Sequence, residues 1–164
     1  MSIELLQAHY GFTRMPFGRD LAPQMLHRSA GHNEAVARIG WCIQERALGV
    51  ITGEVGSGKT VATRAATSAL DSSRNTLIYL GNPAVGTRGI YHGIVTALGG
   101  VPRFHKASLI PQTVDLLAAE DNERGKHVVI AIDEAHLLTP DQLEEIRLLT
   151  NSELDSKSPF ACLL

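Results

Sequence analysis

Apolar positions along this chain alternate between two kinds of pattern, helical spacing and short continuous runs. Val36, Ile39, Ile43 and Ala47 recur every three or four residues behind Ser29 and Asn33, either of which can cap a helix, so a helix is expected from about Asn33 to Ala47, weakened by Gly40. The run Leu48-Gly49-Val50-Ile51 reads as a strand, and the Ala-rich stretch Val61 to Leu70 as a helix. Thr76 to Leu80 reads as a buried strand bounded by Gly81-Asn82-Pro83. Ile90, Ile94, Val95 and Leu98 mark a helix ended by Gly99-Gly100, and Leu109, Val114, Leu116 and Leu117 mark another that gives out in the charged stretch Glu120 to Lys126. Val128 to Ile132 is the most emphatic buried strand. Thr139 and Pro140 open a last helix through Leu143, Ile146 and Leu149, and Pro159 to Leu164 begins a further strand. Strands alternating with helices imply a parallel sheet with helices on both faces, a three-layer α/β sandwich.

A chain of 164 residues suits one domain with a real core, which aliphatic side chains must fill because only 5% of residues are aromatic. The net charge of −2 and pI of 6.4 favour neither nucleic acid nor an anionic membrane globally, so either partner would need a local patch. Cys42 and Cys162 lack metal-ligand spacing and suggest a reducing compartment. No signal peptide or apolar run of membrane-spanning length is apparent, and a cytoplasmic location with no membrane contact is expected. Tyr10, Phe12 and Phe17 cluster around Arg14-Met15-Pro16, and Pro16 and Pro23 argue against continuous helix there. Residues 1–32 are expected to form an aromatic flap, with Tyr10 and Phe17 either walling an adenine pocket or simply covering the core. Trp41 is compatible with core, cover or interface.

The chemistry begins at Gly53-Glu54-Val55-Gly56-Ser57-Gly58-Lys59-Thr60, which fits the G-x-x-x-x-G-K-[ST] phosphate-binding loop between a strand and a helix. A polyphosphate needs many donors at close range, and successive backbone N–H groups supply them only where side chains stay clear. The loop leads into a helix N-terminus, whose unpaired amides and dipole favour an anion, and places Val61 in the first turn. Lys59 would reach the β- and γ-phosphates of ATP, and Thr60 would offer its hydroxyl to Mg²⁺.

A second constellation follows the emphatic strand, which runs directly into Asp133-Glu134-Ala135-His136. In a parallel sheet both sites emerge at the carboxyl edge, where ligands bind. Asp133 would hold Mg²⁺ through water and Glu134 would take a proton from the attacking water. His136 reads as a solvent-facing turn residue. Asn82, at the mouth of the preceding strand, either hydrogen-bonds Glu134 and holds it off line or simply makes an Asn-Pro turn.

Taken together, the aromatic opening from Tyr10 to Phe17, Ser29-Ala30-Gly31-His32-Asn33-Glu34-Ala35, the phosphate loop and Ile132-Asp133-Glu134-Ala135-His136-Leu137 resemble the AAA+ ATPases, and within them the general-secretion-pathway protein A (ExeA-like) group and the helper ATPases of bacterial transposons. The resemblance implies a P-loop NTPase sheet in the order 5-1-4-3-2, ATP and Mg²⁺ as cofactors, self-association into rings or filaments, and Asn82 as a switch acting on the catalytic Glu134. Residues 33–164 would be a partial AAA+ nucleotide-binding domain lacking the family's sensor, partner-directed arginine, fifth strand and helical lid. The first strand would then be an open edge prone to aggregation, and without an arginine, worth about 10³ to 10⁵ in rate, hydrolysis should be slow.

No acidic residue falls between Ser72 and Val114, a span that carries Arg74, Arg88, His92, Arg103, His105 and Lys106. Arg88, Arg103 and Lys106 are therefore candidate contacts to DNA phosphates, set against ordinary surface charge. Three roles follow, of which the first is favoured because no envelope-targeting feature is visible: a DNA-associated ATPase directing a transposase, an ATPase of secretion-pathway assembly, and a nucleotide-binding remnant without turnover. A helicase, prompted by Asp-Glu-Ala-His, fits worse because such motors need two such domains.

Overall fold

The computed structural model describes residues 3–13, 25, 27, 29–151 and 158–164. In chain order its elements are α1 (Ile3–Tyr10), α2 (Ala30–Gln44), β1 (Leu48–Gly49), α3 (Lys59–Ser68), β2 (Asn75–Leu80), α4 (Gly86–Ala97), α5 (Lys106–Asn122), β3 (His127–Ile132), α6 (Pro140–Thr150) and β4 (Phe160–Leu163). The four strands are parallel and lie in the order β1-β4-β3-β2. That is the order the family resemblance implies for its first four strands, in an α/β P-loop NTPase fold.

Both faces of the central strands are covered, which is why β3 and β4 are apolar at nearly every position rather than at alternate ones. Val128, Ile130 and Ile132 of β3 and Phe160 and Cys162 of β4 join α4, α5 and α6 in the larger core. Val129, Ala131, Ala161 and Leu163 point the other way, into a smaller core with Ile39 and Ile43 of α2 and Ala62 and Ala66 of α3. Alanines from α3, β3 and β4 meet in this smaller core.

Local capping sets the helix boundaries. Ser29 Oγ accepts from the His32 N–H at 3.2 Å, so α2 starts at Ala30, ahead of the expected start near Asn33. Thr139 caps α6 reciprocally with Gln142, and Pro140 occupies the first turn. Helix α5 ends at Asn122, within the charged stretch expected to end it, and buried Glu120 in its last turn is met by Arg124 at 3.2 Å and by the Thr76 hydroxyl at 3.3 Å.

One expectation changes. The strand at Thr76–Leu80 is not buried: β2 is an edge strand, Ile78 alone of its residues is fully buried, and Leu77 and Tyr79 are 46% and 59% exposed. Tyr79 pairs in register with Ala131 and so lies on the α2/α3 face, but α2 packs over β1 and β4 and leaves that side of β2 open. Near the N-terminus, α1 is a short helix ahead of the two prolines with none of its residues buried, and Tyr10 stacks on Phe12 with ring centroids 5.5 Å apart. Among the described residues no helix is long and apolar enough to cross a membrane.

Candidate nucleotide site

The pairing of β1 with β4 continues past the strand ends: Leu164 donates to Gly49 O at 2.9 Å, and Ile51 donates to Leu164 O at 2.8 Å. From there the chain leaves the carboxyl edge of the sheet and turns through Thr52 to Gly58 into α3. Gly56 and Gly58 have φ of 84° and 89°, a left-handed conformation that side chains disfavour. Close approach constrains Gly53 instead, since a Cβ there would lie 2.8 Å from Ser57 Oγ. Gly58 is the N-cap of α3 and brings no capping side chain, so the first-turn N–H groups, including those of Thr60 and Val61, face the loop without competition from a cap. Glu54, Val55 and Ser57 are exposed along the loop.

Lys59 folds back over this loop. Its Nζ donates to Gly53 O at 2.7 Å and to Glu54 O at 2.9 Å, so the ammonium rests on carbonyl dipoles inside the turn. These are weak partners for a cation compared with a phosphate oxygen. Thr60 is exposed in the first turn beside it.

One strand beyond β4, the end of β3 carries Asp133 at the same edge of the sheet. The Asp133 N–H donates to Leu80 O at 3.0 Å, extending the β2–β3 ladder by one residue. Both carboxylate oxygens of Asp133 are engaged: Oδ1 accepts from the Glu134 N–H at 2.9 Å and Oδ2 from the Tyr79 hydroxyl at 2.8 Å. The bond to Asp133, then partial burial, raises the pKa of the phenol, which therefore stays a donor at neutral pH. Glu134 has φ of 54° and ψ of 39°, an uncommon left-handed conformation for a residue with a side chain. Its carboxylate is exposed and lies 3.3 Å from His136 Nδ1.

Among the described residues Asn82 makes no hydrogen bond to Glu134. Its Oδ1 accepts from the Ala84 N–H at 3.0 Å and caps the short 3-10 turn Pro83–Val85, the Asn-Pro turn that was the alternative reading. Glu134 pairs with His136 instead. Tyr10 stacks on its neighbour, with no hydrogen bond or ring contact to the phosphate loop among the described residues, and Phe17 lies outside those residues.

Of the DNA candidates, Arg88 lies over the Phe104 ring, 4.9 Å from its centroid, which brings Arg88 beside the loop that carries Arg103. The Arg103 N–H donates to Gln112 Oε1 at 3.0 Å. Lys106 pairs with Glu145 of α6, which also accepts from the Tyr91 hydroxyl. Lys106 first and Tyr91 second hold the Glu145 carboxyl below its ordinary pKa.

The donor set at the sheet edge fits a magnesium nucleotide. A threonine hydroxyl and a carboxylate are hard oxygen donors, and among the described residues no group of three or more His, Cys, Asp or Glu could hold a metal by itself. Magnesium asks for no more, since it keeps several waters and takes further oxygens from phosphates.

Two residues missed in the sequence support this edge. Tyr79 sits at an exposed strand position, and only the register of β2 against β3 reveals its reach to Asp133. Gln142 is 2% exposed and donates to Pro83 O at 2.6 Å while its Oε1 accepts from the Thr139 N–H. The T-x-x-Q capping signature at 139–142 pointed to the second contact but not to the first.

Comparison with known proteins gives a consistent picture. A family model described as AAA domain matches residues 43–164. The chain is 32% identical over 159 residues to the General secretion pathway protein A of Aeromonas hydrophila, an alignment that takes in 94% of this chain and 28% of that protein. The chain thus spans less than a third of that relative's length. No solved structure gave a significant match.

Proposed function

The chain belongs to the AAA domain family, and from that premise we propose that it binds ATP with Mg²⁺ at the carboxyl edge of its sheet and hydrolyses it to ADP and phosphate. The observation that carries this reading is the loop itself: Gly56 and Gly58 in left-handed conformation, an uncapped α3, and Lys59 resting on the Gly53 and Glu54 carbonyls. Lys59 would exchange those two carbonyls for phosphate oxygens, with backbone N–H groups from Gly53 to Val61 completing the cradle. Thr60 and Asp133 would hold the metal, which when bound offsets the charge of the phosphates. Glu134 would accept a proton from the attacking water, and its strained backbone and exposed carboxylate suit a group that changes partner during the cycle. In this reading residues 33–164 are the nucleotide-binding domain and residues 1–32 a flap.

For the wider role, the named relative favours an ATPase of secretion-pathway assembly, self-associating into a ring or filament. A second reading, a DNA-associated helper of a transposase, is favoured by the Arg88–Phe104 contact, because it gathers a cation and an exposed aromatic beside Arg103 in the stretch without acids. Steady-state hydrolysis with and without duplex DNA separates the two. Turnover lost in the Glu134→Gln protein while nucleotide is retained supports the ATPase; stimulation by DNA, abolished in Arg88→Ala, supports the helper role, and indifference to DNA supports the secretion role. Turnover unaffected by Glu134→Gln would remove that residue from the mechanism.

A further inference from the structure

We propose that Tyr79 is a positioning residue for the metal site, its phenol fixing the Asp133 carboxylate in the orientation that receives the magnesium ion's water ligands. The inference rests on the nucleotide reading above and deepens it.

Packing does not account for the ring. Tyr79 is 59% exposed on the open side of an edge strand, where a hydrophobic side chain contributes little burial. Its placement is nevertheless specific. Register sets it beside Ala131, two residues before Asp133 on the neighbouring strand and on the same face of the sheet, so the phenol reaches up the strand direction to the carboxylate. Gly81 keeps the way open: a Cβ there would lie 3.0 Å from Cε1 of the ring and 3.7 Å from its hydroxyl. The small side chains at 81 and 131 thus leave room along which the ring lies, ending in the 2.8 Å bond to Oδ2.

The second hydrogen bond completes the device. With Oδ1 held by the Glu134 N–H and Oδ2 by Tyr79, the carboxylate cannot rotate without losing one of them. Each carboxylate oxygen accepts about two hydrogen bonds, so one site on each remains for water bound to the metal. Partners of this kind, one step removed from the metal, change metal affinity about 10- to 100-fold when removed. Tyr79 also ties the end of β2 to the end of β3, so a displacement of β2 would be felt at Asp133.

The test is a magnesium titration of nucleotide binding by the full chain, read by the fluorescence of a ribose-labelled ATP analogue. Tyr79→Phe, which removes one oxygen from an exposed side chain, is expected to raise the magnesium concentration needed for half-saturation about 10-fold. It should leave magnesium-free binding of the analogue and the melting temperature unchanged. In an Asp133→Asn background the same substitution should have no further effect. An unchanged magnesium requirement in Tyr79→Phe overturns the inference while leaving the nucleotide reading intact. Equal loss of magnesium-free binding would make Tyr79 part of the nucleotide wall instead, which also overturns it. Wild-type protein that ignores magnesium altogether would overturn both.

Discussion

Arg46 donates from both terminal nitrogens to Asp121, at 2.7 and 2.6 Å, and so ties the turn after α2 to the last turn of α5. The geometry is bidentate and partly buried, and Arg46 adopts φ of 51° to make it. His127, the first residue of β3, lies 3.4 Å from the same carboxylate. The clamp sits at the amino edge of the sheet, opposite the nucleotide site, so it bears on stability alone.

Arg46→Ala is therefore expected to cost about 1–2 kcal/mol at neutral pH, a partly buried charged pair being worth more than an exposed one. The hydrogen bond from Arg46 is the chief reason the Asp121 carboxyl titrates below its ordinary value. A depressed carboxyl contributes stability that is complete above the unfolded pKa, near 4, and is lost as pH falls through the lower folded value. Urea melts of wild type and variant should differ at pH 7 and converge below about pH 4. A gap that stays constant down to pH 2.5 would show that the charge pair is not its source.

Gln142 is the second mechanical tie, joining α6 to the turn after β2. Gln142→Leu leaves the Pro83 carbonyl and the Thr139 N–H without their partner and should cost about 2–3 kcal/mol, against about 1 kcal/mol for Thr139→Ala, which loses the cap alone. Chemical denaturation of the two variants decides the order; equal losses would mean that the Pro83 contact contributes nothing.

Cys162 is fully buried in β4, and burial pushes its thiol up to about 12. Because the folded value lies above that of an unfolded cysteine, near 8.5, its contribution to stability is complete below that pH and is lost as pH rises toward the folded value. At pH 8 iodoacetamide should modify half-buried Cys42 in the native protein and Cys162 only after unfolding, as read by peptide mass spectrometry. Alkylation of both at similar native rates would contradict the packing of β4.

What could be read in the sequence followed physical locality. The glycine turn ahead of α3, the caps at Ser29 and Thr139 and the apolar run of β3 are set by neighbours within a few residues, and each stands near where the pattern put it. Edge or centre is a property of the whole sheet, so a run such as Thr76–Leu80 reads as buried although β2 is an edge. The same holds for Lys106, whose partner Glu145 is on another helix, and for Tyr79, whose partner two residues up the next strand is visible only once register is known. Asn82 is local in the same way: an Asx turn, available from the Asn-Pro dipeptide alone, engages its side-chain oxygen.

The most direct test is calorimetric titration of the folded chain with ATP in the presence of magnesium. Saturable binding is predicted, weakened at least about 10-fold by Lys59→Ala through loss of a charged hydrogen bond worth roughly 1.5–3 kcal/mol, while the melting temperature without nucleotide hardly moves. No binding at millimolar ATP, or equal affinity in wild type and Lys59→Ala, would contradict the assignment of this loop to the triphosphate.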